Sequence, residues 1–218
     1  WTDDRAARNN YQALQAFYSK FPEKLAKPLY LSGESYAGKM LPNAAKKILE
    51  YNASSDAKLQ INLKTLYMAD PIPDTMLARL ETHRLGWAMG YYDDWQADQV
   101  ERLRLKCETT GSCTPILNYQ TDMLGDIDQT FALAFDYDDV LSSAYKNMFT
   151  KSGHLSQLKK DLNIDKDDAY ASFSSSAHDA LSSDERSSDQ SPVVDELLAE
   201  GIKVVINAGS VDMKDGVR

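Results

Sequence analysis

The chain has 218 residues, 43% of them hydrophobic and 26% charged, an ordinary globular composition with enough apolar side chains for a core. Acidic residues outnumber basic ones 33 to 24, for a formal net charge of −9, and this argues against binding nucleic acid through its phosphates. No apolar run approaches the ~18 residues of a spanning helix, so no membrane span is expected.

In chain order, Ala7, Tyr11, Leu14, Tyr18 and Phe21 recur at helical spacing, which predicts an amphipathic helix over 3–21, ended by Pro22. Leu29-Tyr30-Leu31 reads as a short buried strand that Gly33 ends. Met40, Leu41, Ala44, Ala45, Ile48 and Leu49 then share one side of a second helix. INLKTLYMA, residues 61–69, reads as a second strand. From Thr75 to about Lys160 the pattern is helical and charged, with aromatics at Trp87, Tyr91, Tyr92 and Trp95, as in an inserted helical subdomain. The serine-rich stretch 172–191 reads as a flexible loop. VVDELLAEG gives a short helix ended by Gly201, and IKVVINAG, 202–209, a buried strand. Strand-plus-helix units around a helical insert predict an α/β fold, with core segments 1–74 and 192–218 and an insertion over 75–191.

The segment LYLSGESYAGKMLP, residues 29–42, carries the clearest chemistry. A strand runs into Gly33-Glu34-Ser35-Tyr36-Ala37-Gly38 and a helix follows, which is the setting a nucleophile elbow needs. Small residues at Gly33 and Ala37 let strand and helix pass closely. The Ser35 hydroxyl then projects above the sheet, beside the N–H groups at the helix N-terminus. The bland alternative is an N-cap serine in a Gly-rich turn. Cys107 and Cys113 are the only cysteines. Their short polar spacing permits either a small disulfide loop or two reduced cysteines in a surface turn, and with no nearby His a zinc site is not expected.

GESYAGKMLP resembles the active-serine segment of the serine carboxypeptidases, an α/β-hydrolase family of secretory compartments. FYSKFPEKLAKPLYLSGESYAG is similar to that family's helix and strand before the serine, INLKTLYMADP to its next strand, and WAMGYYDDWQADQVERLRLKC to the start of its cap. VVDELLAEGIKVVINAGSVD is similar to the helix and strand that deliver its catalytic aspartate. Lys39 and the ending Gly209-Ser210-Val211-Asp212 lean toward the retinoid-inducible branch.

The resemblance implies an α/β-hydrolase fold, partial here, with a helical cap. It implies Ser35 as nucleophile, the Tyr36 backbone N–H as half of the oxyanion hole, and Asp212 as the triad acid. It implies that Glu34, in its protonated form, donates to the substrate's terminal carboxylate, so that binding is best in mildly acidic solution. It also implies a Cys107–Cys113 disulfide, since family members carry disulfides in the cap. The sequon Asn52-Ala53-Ser54 marks Asn52 as a glycosylation site and fits a secreted origin. The expected substrates are peptide or protein C-termini, and the expected location is a lysosome, a vacuole or the cell exterior. No metal or organic cofactor is implied, and the sequence is silent on oligomeric state.

The family's Gly-Gly-Pro-Gly segment does not occur, and its catalytic histidine lies downstream of the aspartate. His83, His154 and His178 all precede Asp212 and read as surface or cap residues. The expectation is therefore an internal portion of a longer enzyme, inactive by itself. Ala69-Asp70-Pro71 stands where the family usually has Gly-Asn-Gly, and Ser210 replaces a frequent Asp. Two alternatives remain open at this point: an acyltransferase that uses Ser35 on the same scaffold, and a non-catalytic binding protein of the same fold.

Overall fold

The first helix, α1 (Asp3–Lys20), begins where Thr2 accepts a hydrogen bond from the Arg5 N–H at 3.2 Å. Asp3 and Asp4 in its first turn and Lys20 in its last suit the helix dipole. It is part of a computed structural model that describes residues 2–54, 59–116, 118–119, 154–164, 174–177, 179–180 and 189–210. Ala7, Tyr11 and Tyr18 are its buried apolar stripe, and the helix packs on α2 (Ala37–Ala53).

Between these helices runs β1 (Leu29–Glu34). It pairs in parallel with β2 (Leu63–Ala69), which pairs in parallel with β3 (Lys203–Asn207), giving the order β1-β2-β3. Leu31, Leu66 and Val204 lie abreast. Their face of the sheet meets Ala45 and Ile48 of α2 and Leu197 of α6 (Ser191–Ala199), and this cluster with Tyr11 and Tyr18 is the main core. Tyr30, Ser32 and Tyr67 alternate onto the opposite face and are exposed.

Local sequence rules misplace some boundaries. Gly33 does not end the first strand, because it still pairs with Met68, and Glu34 with Ala69. The second strand begins at Leu63 rather than residue 61, and the third covers 203–207 rather than 202–209. The second helix starts earlier than its apolar stripe, at Ala37, and holds the buried Pro42 inside it.

The inserted region contributes α3 (Thr75–Ala88) and α4 (Asp94–Thr110), which pack on each other. A reciprocal capping box between Asp93 and Gln96 starts α4, and Gly111 at φ +70° ends it. Tyr92, Val100, Cys107 and Ile116 form a second core cluster here. A Cβ on Gly86 would stand 2.7 Å from the Tyr92 ring, so glycine is what lets that ring lie against α3. Cys107 and Cys113 are joined by a disulfide, with Cα atoms 4.5 Å apart, across the end of α4. Farther on, α5 covers His154–Asp161. In the serine-rich stretch, residues 175–177 and 179–180 are helical rather than loop, while 172–173, 178 and 181–188 lie outside the described residues. Among the described residues, no helix is long and apolar enough to cross a membrane.

Candidate active site

Ser35 sits between the last residue of β1 and the N-terminal end of α2 with φ +57°. A side chain in this left-handed region costs free energy, on the order of 1–3 kcal/mol when the surroundings impose it. Three backbone hydrogen bonds impose it here. The Ser35 N–H donates to the Ala69 carbonyl at 3.0 Å, which extends the β1–β2 ladder by one residue. The Ser35 carbonyl accepts from the Gly38 N–H at 2.9 Å and from the Ile72 N–H at 3.0 Å. The chain therefore reverses from strand to helix on a serine whose peptide groups are tied on both sides.

Two glycines make the reversal possible. A Cβ on Gly33 would collide with the Cβ of Ala37, so strand and helix could not approach as they do. A Cβ on Gly38 would lie 2.6 Å from the Ile72 N, inside the loop that holds Ser35. The small residues of GESYAG are thus steric requirements of the turn.

Around the serine, Glu34 is exposed at the end of β1. Tyr36 is the N-cap of α2, and its hydroxyl donates to Asp3 Oδ1 at 3.3 Å. Asp3 is buried, so the start of α1 is anchored to the turn. The α2 N-terminus adds positive electrostatic potential beside Ser35, which favours a developing oxyanion.

For some side chains the burial and the partners had no sequence signal. Lys39, one helical turn beyond Ser35, is only 1% exposed. Asp189 is held below the usual carboxylate range, first by hydrogen bonds from the Ser191 backbone and hydroxyl and then by the positive charge of Lys39. Asn43 Nδ2 donates to Gln190 Oε1 at 2.8 Å, and the Gln190 N–H donates to the Pro73 carbonyl at 3.0 Å. The chain thus returns from the insertion directly against the loop that follows β2.

Asp70, read from the sequence as a departure, belongs to this loop and has φ +40°. Its N–H donates to the Asn207 carbonyl at 2.7 Å, and its Oδ1 accepts from the Gly209 N–H. Asp212 lies outside the described residues, as does His178. Of the two readings for His83, surface or cap, the surface one fails: it lies in the helical insertion, buried on α3, with Nε2 3.1 Å from Glu101 Oε2 of α4. His154 begins α5. The structure thus brings Glu34, Ser35 and Tyr36 together at one turn, with Cys107, Cys113 and His83 in the helical insertion. Among the described residues, no group of three or more His, Cys, Asp and Glu side chains is placed to hold a metal ion.

The geometry can be set beside known proteins. The family profile Peptidase_S10, described as serine carboxypeptidase, matches residues 1–217. Serine carboxypeptidase-like 29 of Arabidopsis thaliana is 30% identical over 133 residues, covering 58% of this chain and 27% of the relative. The pheromone-processing carboxypeptidase KEX1 of Ogataea parapolymorpha is 33% identical over 106 residues, covering 48% of this chain and 17% of the relative. The chain thus spans about a quarter or less of the length of these curated relatives. Among solved structures, the prohormone-processing carboxypeptidase KEX1(delta)p of Saccharomyces cerevisiae matches with a TM-score of 0.70 at 20% identity, covering 93% of this chain and 48% of that one. That likeness shows the fold, an α/β-hydrolase arrangement that fits the parallel three-stranded sheet with its helices. With the family profile running over nearly the whole length, the chain belongs to the serine carboxypeptidase family.

Proposed function

We propose that the protein containing this chain is a serine-type carboxypeptidase that releases C-terminal residues from peptides. The observation that carries the proposal is Ser35, held at φ +57° on a strand-to-helix turn by three backbone hydrogen bonds. Ser35 Oγ attacks the carbonyl carbon of the last peptide bond while a histidine takes its proton. That histidine is proposed to lie downstream of Asp212, beyond these 218 residues. Collapse of the tetrahedral intermediate breaks the C–N bond, and the histidine returns the proton to the departing amine. Water then hydrolyses the acyl-serine. In this reading the Tyr36 N–H stabilises the oxyanion, Asp212 orients the histidine, and Glu34 hydrogen-bonds the substrate's terminal carboxylate.

The insertion is proposed to span 75–191 as a cap, and its separate core cluster supports that division. The Cys107–Cys113 disulfide supports an oxidising compartment, proposed as a lysosome, a vacuole or the cell exterior. Asn52 is proposed as a glycan acceptor in a conformation that frees its amide.

The test is covalent labelling of the full-length protein with a fluorophosphonate, followed by peptide mapping. The label is expected on Ser35, and Ser35→Ala is expected to lower kcat by roughly six orders of magnitude. Label on another serine, or activity that survives Ser35→Ala, overturns the assignment.

A further inference from the structure

We propose that Asp70 is a positioning residue, one that ties the segment at Gly209, three residues before Asp212, to the turn carrying Ser35; the inference rests on the carboxypeptidase reading of that serine. The loop after β2 reaches in two directions. On one side, Ala69 and Ile72 hold the N–H and the carbonyl of Ser35, both at 3.0 Å. On the other, Asp70, between them in sequence, holds the end of β3 and the segment beyond it. Its N–H donates to the Asn207 carbonyl at 2.7 Å, and its carboxylate accepts the N–H of Gly209.

Ladder pairing of β3 stops at Asn207, opposite Ala69. The Gly209 N–H therefore lies past the sheet, and the Asp70 side chain supplies its acceptor where no strand does. Asp212 is three residues farther along. The φ of +40° at Asp70 aims its N–H and its carboxylate at the same neighbouring segment. Asp and Asn tolerate this backbone region better than other residues with a side chain. One short loop thus sets the serine and the root of the acid-bearing segment in a common frame. An error of about 1 Å in such a frame can cost roughly 100-fold in rate.

The distinguishing variants are Asp70→Asn and Asp70→Gly in the full-length protein. Asparagine keeps an Oδ1 acceptor and tolerates the backbone angle, so it should retain near-wild-type kcat. Glycine accepts the angle without strain but has no acceptor for Gly209. It should lower kcat about 10- to 100-fold, with a much smaller change in KM. Both are measured per active site, counted by fluorophosphonate titration. A merely structural role would reduce the number of titratable sites and leave kcat per site unchanged. That outcome, or Asp70→Asn failing as badly as Asp70→Gly, overturns the positioning role while label on Ser35 keeps the carboxypeptidase reading. Wild-type protein that cleaves peptides without Ser35 being labelled overturns both. Should Asp70→Gly fold poorly, the surviving titratable sites still report kcat, and Asp70→Asn still has to match wild type.

Discussion

Asn52, in the last turn of α2, binds both peptide groups of Ile61 with one side chain. Its Nδ2 donates to the Ile61 carbonyl at 2.8 Å, and its Oδ1 accepts the Ile61 N–H at 2.9 Å. Ile61 is 2% exposed, so little water could replace either bond. Asn52→Ala is expected to destabilise the protein by about 1–3 kcal/mol, read as a drop in thermal midpoint. Unchanged stability would mean that Ile61 finds other partners. The same fork bears on glycosylation. A sugar on Nδ2 creates a secondary amide, and the preferred trans form places the sugar on the Oδ1 side, the edge now facing Ile61. Occupancy of the sequon and this clamp therefore compete for one edge of the amide.

At the scale of elements, the α3–α4 pair is held by charge as well as by its small core. Across the pair, His83 Nε2 of α3 lies 3.1 Å from Glu101 Oε2 of α4, and Arg104 of α4 lies 3.8 Å from Glu81 of α3. Within α4, Arg104 donates to both oxygens of Glu101 at 2.7 Å each. These bonds, then the Arg104, His83 and Arg84 charges, lower the Glu101 carboxyl from 4.5 to about 2 against an opposing effect of burial. A depressed carboxyl stabilises the fold fully above its ordinary value and loses that contribution as pH falls toward the folded value. Glu101 should therefore stabilise α4, and with His83 its contact to α3, above about pH 4.5 and lose that contribution as pH approaches about 2. Glu101→Gln removes the titration. The difference in thermal midpoint between wild type and Glu101→Gln should shrink steadily across that interval. A difference that stays constant would mean that the carboxylate's charge is not what matters. Glu101 is partly exposed, so salt should weaken the effect.

Across the molecule, the central strand should be the most persistent part of the described residues. β2 bonds to a neighbour on each side, and Leu66 and Met68 are within 1% of full burial. The α3–α4 pair has its own smaller cluster around Tyr92 and Val100. Local opening follows buried contact and exposed hydrogen bonding, so these units need not open together. In native-state hydrogen exchange of the full-length protein, amides of residues 65–68 are expected to exchange slowest, with those of α3 and α4 clearly sooner. Equal protection of both would show that they unfold as one unit.

By itself the sequence determined what neighbouring residues can dictate. The apolar spacing of Tyr11, Leu14 and Tyr18 placed α1, and GESYAG between a strand and a helix marked the turn at Ser35. Gly33 is needed by Ala37, four positions away, so its reason is local, whereas Gly38 makes room for Ile72 on the loop after β2. Cys107 and Cys113 were close enough for a disulfide to be one of two open readings, and the fold chose it. Gly33 shows where local reading fails: taken alone it is a strand breaker, yet pairing with Met68 keeps it in β1. Tertiary structure alone decided that Asp70 would meet Gly209, 139 positions away, and that Asn43 would meet Gln190, 147 away. It alone buried Lys39 and His83. A single Asp, Lys or His carries no periodic pattern, and its surroundings exist only once the sheet has brought β2 and β3 side by side.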